Sequence, residues 1–407
     1  MITFPEAQAA LAALDVGGRG ARSEAIGVGD ALGRILAQDV AIDRDQPGFD
    51  RSTMDGFAVV PDGDRTRFVV RGELTAGQVY EGQLGPGDAL RIMTGAPAPS
   101  GTTVVPIERT DWQDGAGEVT LEHAPVPGSN IAWRGEDARR GDVLVARGTR
   151  LAPAHLSVAA MAGATELEVQ TPPSVCVVTT GDEVGAAGAA GIRDSNGPLL
   201  DGLLVTLGAR VRRRHARDQE GELEDVLRAA ADGSDVVVTT GGVSMGSRDL
   251  VPQTLAALGF ETVFHKVQVQ PGKPVLVARR GDGALFVGLP GNPVSVLATA
   301  HLFLFPAMAP LLAGWQPRFI ELPMAQDFEH VGRRHLFLPA RVDAGGLAPM
   351  RWNGSGDLIA AAAADGLVEL PVGARFGAGD RARFLPYLGH ALAERALLPP
   401  REERAQP

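Results

Sequence analysis

A single cysteine and two lysines are all that 407 residues contain of those types, and each shortage narrows the chemistry open to the chain. The cysteine, Cys176, stands in the apolar run Val175-Cys176-Val177-Val178. No disulfide framework and no cysteine zinc site can form. Its thiol reads as an inert small hydrophobe of a buried strand rather than a nucleophile. The eight histidines are scattered, with no pair at helical metal-binding spacing. Long apolar runs are missing too. The longest, near Leu302–Leu312, is interrupted by Pro306 and Pro310 and falls short of a bilayer span. No basic stretch followed by an apolar core opens the chain, so a leader is not expected and a cytoplasmic protein is. The net charge of −11 argues against a nucleic-acid surface. No GxSxG elbow, Ser-His-Asp order, dinucleotide fingerprint or P-loop pattern occurs.

What is present concentrates between Asp235 and Pro293. The apolar run Val236-Val237-Val238 breaks into Thr239-Thr240-Gly241-Gly242-Val243-Ser244-Met245-Gly246. Asp249 and Lys266 follow, then Pro271-Gly272-Lys273-Pro274 and Gly288-Leu289-Pro290-Gly291-Asn292-Pro293. Each of these three turn-rich loops is expected to follow a strand, and loops at strand carboxyl ends form the ligand crevice of an open α/β sheet. Glycines there let backbone N–H groups approach an anion. Both lysines, Lys266 and Lys273, lie in this stretch, while arginine does the cationic work elsewhere. A compact ammonium is not interchangeable with a guanidinium beside a phosphate.

In chain order, Phe4–Leu14 and Ile26–Leu36 read as amphipathic helices. Glycine turns between short apolar runs from 43 to 138 predict a β domain. Pro153–Gly163 reads as a helix. It could return to the N-terminal helices, giving a mixed helical domain of residues 1–42 and 139–172. From 173 to 315 strands alternate with helices, which predicts a mostly parallel sheet covered on both faces. Asn292 and Pro293 suit the N-cap and first position of a helix towards Leu312. Strand-like runs return from 316 to 400 and suggest a small β-barrel, with a disordered tail from Arg401. The fold class is α/β plus β, multidomain.

Asp55, Asp137, Asp182, Glu183, Asp218 and Asp249 all lie in turns beside glycine or arginine. Taken singly, each suits a solvated loop or a helix cap. Together, without cysteine or histidine ligands, they favour a hard cation such as Mg²⁺. A glycine-walled anion cradle, a lysine pair and metal-binding carboxylates suit chemistry on a phosphate or phosphoanhydride.

The segment Ser52-Thr53-Met54-Asp55-Gly56-Phe57-Ala58 resembles the SAMDGYA segment of the MoeA family, the molybdopterin molybdenumtransferases. Further matches follow in order: Arg91-Ile92-Met93-Thr94-Gly95-Ala96-Pro97, Arg134-Gly135-Glu136-Asp137, Thr180-Gly181-Asp182-Glu183, Gly241-Gly242-Val243-Ser244, Pro271-Gly272-Lys273-Pro274 and Gly288-Leu289-Pro290-Gly291-Asn292-Pro293. The resemblance covers nearly the whole chain and extends to the gephyrin E domain. It implies an elongated homodimer of four-domain subunits, with an α/β domain (173–315) similar to the MogA-type molybdopterin adenylyltransferases. The active site would lie between that domain of one subunit and the β domain (43–138) of the other.

The implied reaction takes adenylylated molybdopterin and molybdate with Mg²⁺ or another divalent cation, releases AMP and places molybdenum on the dithiolene. The implied catalytic acids are Asp55, Asp137, Glu183, Asp218 and Asp249, with Asp55, Asp137, Glu183 and Asp249 as metal ligands. The implied substrate contacts are Thr94, Thr180, Gly181, Gly241, Gly242, Ser244, Lys266, Lys273, Pro290, Asn292, Arg341 and Ser355. Gln270 departs from the family, many of whose members carry a basic residue just before PGKP. Implied partners are a MogA-type adenylyltransferase and molybdoenzyme maturation proteins, with no nucleic acid and no membrane. Molybdopterin adenylylation, nucleotide cleavage and a non-catalytic scaffold are the alternatives.

Overall fold

The computed structural model describes residues 1–181, 184, 191–217, 220–242, 250–312 and 314–389. The chain forms two compact units. One comprises Ala25–Leu32 and Leu36–Glu168; the other comprises Met1–Glu24, Gly33–Ile35 and everything from Val169 onward.

The first unit is built on a five-stranded sheet in the order Thr103–Pro106, Gly56–Val59, Asp88–Ile92, Arg67–Leu74 and Glu118–Thr120. Alternation sorts its side chains onto two small cores. Ala58, Leu90, Ile92 and Val104 pack on one face; Phe57, Val59, Phe68 and Ala89 pack on the other. Strands Arg51–Ser52 and Ile131–Ala132 pair beside it, and the expected helix forms over Pro153–Met161. The expected helix over Ile26–Leu36 does not form. Ser23–Gly27 is a strand and Val28–Asp30 a single 3₁₀ turn. Gly27, Gly29 and Gly33 supply the reason, since each costs a helix about 1 kcal/mol relative to alanine.

In the second unit, the helix Phe4–Ala12 opens with a reciprocal cap: Thr3 Oγ1 accepts from the Glu6 N–H, and Glu6 accepts from the Thr3 N–H. Its Phe4 packs edge-on against Phe303 and Phe337. The six-stranded sheet runs Arg210–Ala216, Ser174–Thr180, Val236–Thr240, Leu285–Leu289, Leu276–Arg280, Phe260–His265. The first four strands are parallel; Leu276–Arg280 runs against them and pairs antiparallel with Leu285–Leu289 on one side and Phe260–His265 on the other. Val175 and Val177 face one core, Cys176 and Val178 the other, which explains the uninterrupted apolar run. At the opposite edge from the loops, buried Asp235 accepts from Ser174 and from Arg19 and Arg22, tying the N-terminal segment to the sheet.

A second sheet begins with Val269–Gln270, which pairs in parallel with His335–Asp343. Gly346–Pro349 flanks that strand on one side; Gly366–Leu370, Arg381–Pro386 and Ile320–Pro323 continue on the other. The strand-like runs expected from residue 316 onward are thus strands in this sheet.

The helix expected from Asn292 and Pro293 towards Leu312 forms over Pro293–Leu312, and its length corrects the expectation that this apolar stretch falls short of a bilayer span. It is continuously helical, 20 residues long, and long and apolar enough to cross a membrane by composition, yet 89% of its apolar window is buried in the protein. It passes Pro306 because Ala300–Leu304 widens to π-helical spacing just before it. Widening relieves the clash between a proline ring and the carbonyl four residues earlier.

His301 sits inside that widened turn, 1% exposed. Its Nε2 accepts from the Leu388 N–H at 2.9 Å, so the proton resides on Nδ1, which donates to the Leu297 carbonyl at 2.8 Å. Burial pushes its pKa down to about 4. A depressed histidine stabilises the fold above its unfolded pKa near 6.5, and that stability is lost as pH falls towards 4. The loss should be roughly 3 kcal/mol. Urea unfolding of His301→Gln should show a pH 7 to pH 4 decline smaller than wild type by that amount; identical declines would contradict the assignment.

Candidate anion-binding cleft

Three parallel strands end level with one another, with Thr179 opposite Thr240 and Thr240 opposite Leu289. Their loops therefore leave the sheet at one edge. The Pro271–Pro274 loop reaches the same edge by a different route from the one expected. It precedes its strand, Leu276–Arg280, and antiparallel pairing of Leu276 with Gly288 brings it there.

These loops and the C-terminal residues line a cleft of about 560 Å³. Gly241, Gly242, Lys273, Pro290, Asn292 and Ser355, all anticipated, lie on its wall. Gln270, Ser295, Arg334 and Trp352 also line it and were not anticipated as contacts. Among the described residues, Lys273 and Arg334 are its charged residues and no carboxylate lines it. Such a wall favours an anion.

Glycine is required at two points. Gly241 has φ +93°, and a Cβ there would lie 2.8 Å from Thr180 Oγ1. Gly272 has φ +101°, and its Cβ would lie 2.2 Å from Thr299 Cγ2. Thr180 donates to the Thr240 carbonyl at 3.1 Å and is buried. Its hydroxyl braces the loop from below and does not line the cleft; neither does Gly181.

Hydroxyl chemistry defines the floor. Asn292 donates from Nδ2 to Ser355 Oγ at 2.8 Å, and the Val294 N–H donates to the Ser355 carbonyl at 3.0 Å. Asn292 is thus the N-cap residue by position but spends its side chain on Ser355. Because Ser355 Oγ accepts there, its own proton is free for a ligand. Ser295 is 4% exposed and lines the cleft, and its hydroxyl makes no hydrogen bond among the described residues. A hydroxyl on the cleft wall with no partner among the described residues is available to what enters the cleft.

Lys266 does not line the cleft. Its backbone is left-handed, with φ +67°, and the Val267 N–H beside it donates to the Lys273 carbonyl at 3.0 Å. Arg341 is exposed opposite Ala348 on its strand and lies off the cleft, where Arg334 stands instead.

In the other unit, Asp55 is exposed and Oδ1 accepts from both the backbone N–H and the hydroxyl of Thr94, each at 2.7 Å. Those bonds hold its carboxyl below the usual range. Thr94 therefore orients Asp55, whose Oδ2 has no hydrogen-bond partner among the described residues. Asp137 is exposed, and its carboxylate has no partner among the described residues. Glu183, Asp218, Ser244 and Asp249 lie outside the described residues. Among the described residues no group of three or more potential ligands could hold a metal. Cys176 is free and buried, and burial pushes its thiol up, in keeping with an inert role.

Among the described residues, a cleft at strand carboxyl ends lined by a lysine, an arginine and two serine hydroxyls, with no carboxylate, suits an anion-binding protein built on an α/β sheet. Comparison with known proteins narrows this. Residues 2–163 match the family model of the MoeA N-terminal region (domain I and II), 176–310 a probable molybdopterin binding domain, and 321–387 the MoeA C-terminal region (domain IV). The chain is 33% identical to a molybdopterin molybdenumtransferase of Staphylococcus aureus over 391 residues, covering 90% of this chain and 92% of that one. It is 32% identical to the protein of that name in Staphylococcus epidermidis over 375 residues, covering 87% and 89%. A crystal structure of the molybdopterin biosynthesis MoeA protein of Pyrococcus horikoshii superposes with a TM-score of 0.79 at 27% identity, covering 96% of this chain and all (100%) of that chain. The chain belongs to the MoeA family, and its fold is the multidomain fold of that family.

Gly272→Ala should destabilise the protein by about 1–3 kcal/mol, because the new methyl meets the buried Thr299 side chain in a left-handed backbone. Thermal unfolding measures this; a melting temperature within 1 °C of wild type, roughly a few tenths of a kcal/mol, would show that the loop has room.

Proposed function

We infer that the chain is a molybdopterin molybdenumtransferase, which inserts molybdenum from molybdate into adenylylated molybdopterin with release of AMP. The observation that carries this is the cleft wall: two cations, two serine hydroxyls and no carboxylate among the described lining residues. A tetrahedral oxyanion gives up its hydration only where fixed donors replace it. Lys273 and Arg334 supply charge, Ser295 and Ser355 supply O–H donors, and Gly241 and Gly242 let the backbone approach a phosphate. Gln270 leaves this rim with one cation fewer than many relatives carry, so its amide contributes dipoles where a charge would act at longer range.

The acids take a separate role. Asp55, Asp137, Glu183 and Asp249 remain the candidate metal ligands that the resemblance implies, and as carboxylates they are of the type that suits Mg²⁺ or another divalent cation. Asp55 is oriented by Thr94 with one oxygen open, which supports a ligand role. When bound, the cation would neutralise charge on the phosphate oxygens. Asp218 joins these acids as a further catalytic candidate, and Lys266, Arg341 and Ser244 as candidates for substrate contact.

The proposed organisation has a mixed helical domain of 1–42 and 139–172, a β domain of 43–138, a MogA-like α/β domain of 173–315 and a C-terminal barrel of 316–400. The single bridge between Met324 and Leu347 supports the barrel by linking the ends of the C-terminal strand path. The protein acts as a cytoplasmic homodimer, downstream of a MogA-type adenylyltransferase and upstream of molybdoenzyme maturation.

Purified protein given adenylylated molybdopterin and Mg²⁺ should release AMP only when molybdate is added. Asp137→Asn should lower that turnover by about 10²-fold or more with an unchanged melting temperature. Molybdate-independent turnover of ATP would instead favour the adenylylation reading. No AMP release by the folded wild-type protein with molybdate present, together with unchanged anion binding in Lys273→Ala, would favour a scaffold.

A further inference from the structure

The cleft holds one aromatic side chain among its described lining residues, Trp352, and neither the anion chemistry nor the acids use it. Trp352 is half-buried. One part of the indole packs against the C-terminal sheet core and against the core beneath the α/β sheet, which fixes the ring. The rest faces the cleft. Its indole N–H makes no hydrogen bond among the described residues. A tryptophan committed wholly to packing would bury that N–H against a partner.

Five glycines lie on the wall around it. Gly241, Gly242, Gly272, Gly291 and Gly354 line the same cleft, leaving open the width that a flat group needs. The cations Lys273 and Arg334 lie on that wall as well. One cleft thus offers an apolar plane and a cationic rim, which suits a ligand carrying both a planar heteroaromatic ring and an anionic group.

We propose that Trp352 is a specificity-determining residue of the cleft, an aromatic platform on which a planar heterocycle of the substrate stacks while Lys273 and Arg334 hold its anionic groups. The proposal rests on the transferase reading, since adenylylated molybdopterin carries two such rings, a pterin and an adenine. Stacking recognises the π-face that both share. It would let the cleft distinguish the nucleotide-bearing substrate from free molybdate or phosphate, which have no ring.

Isothermal titration of the full-length protein with AMP, with adenylylated molybdopterin and with molybdate tests this. Trp352→Leu should weaken ring-bearing ligands by about tenfold, in the range of ring stacking on aromatic side chains. Molybdate affinity should stay within about twofold of wild type, because a ringless anion does not meet the indole. Trp352→Phe should restore most of the loss, which separates stacking from a packing defect. Weakened AMP binding identifies the adenine as the stacked ring; weakening of adenylylated molybdopterin alone identifies the pterin. Unchanged affinity of Trp352→Leu for both ligands, with molybdate-dependent AMP release intact, overturns the platform and leaves the transferase reading standing. Wild-type protein that binds neither ligand overturns both.

Discussion

Two residues of parallel pairing hold the cleft together. Val269 and Gln270 leave the α/β sheet and pair with His335 and Leu336 at the start of the C-terminal sheet. That short ladder sets Gln270 and Arg334 on the same wall and fixes the position from which the Pro271–Pro274 loop turns back to the sheet edge. Loops at strand ends are ordinarily mobile, and a binding site gains from rigid support. Here the support is shared between two sheets that pack on one core, so the anion rim does not depend on loop order alone.

The same logic recurs on the floor. Ser355, from the C-terminal region, accepts from the Asn292 side chain and from the Val294 N–H. These bonds join the Gly291-Asn292 loop to the C-terminal segment and orient a hydroxyl towards the cleft. Below them the helix from Pro293 is almost wholly buried, and its widened turn admits Pro306 and grips Leu388 through His301. A buried, neutral histidine suits a fold that must hold this helix at neutral pH, where the imidazolium would lose the Leu388 bond.

Much of this was legible in the sequence. Val175–Val178, Val236–Val238 and Leu285–Val287 are buried on both faces, so apolar runs bounded by glycine announced them. The wall residues Gly241, Lys273, Pro290 and Asn292 followed from loops at strand ends. The misses have physical causes. Gly27 and Gly29 dissolved a helical pattern that Ile26, Leu32 and Leu36 suggested. The antiparallel turn before Leu276 is invisible to a βα alternation, so the Lys273 loop reached the right edge from the wrong side of its strand. Arg334 and Arg341 are indistinguishable by composition, and among the described residues it is Arg334, just before the strand His335–Asp343, that lines the cleft. Ser295 and Trp352 carry no local signal at all, because a serine in a first helical turn and a tryptophan before a glycine turn are usually packing residues. Their role depends on segments far apart in sequence.

The central claim is that the cleft walled by Gly241, Lys273, Ser295, Arg334 and Ser355 is where the oxyanion binds. Tungstate, isosteric with molybdate and strongly anomalous in X-ray scattering, locates that site directly when crystals of the protein are soaked in it. The account predicts a tungsten peak on this wall, within hydrogen-bonding distance of Lys273 and the two serine hydroxyls, that disappears in Lys273→Ala crystals. Tungsten bound elsewhere in the molecule, with this cleft empty, would contradict it.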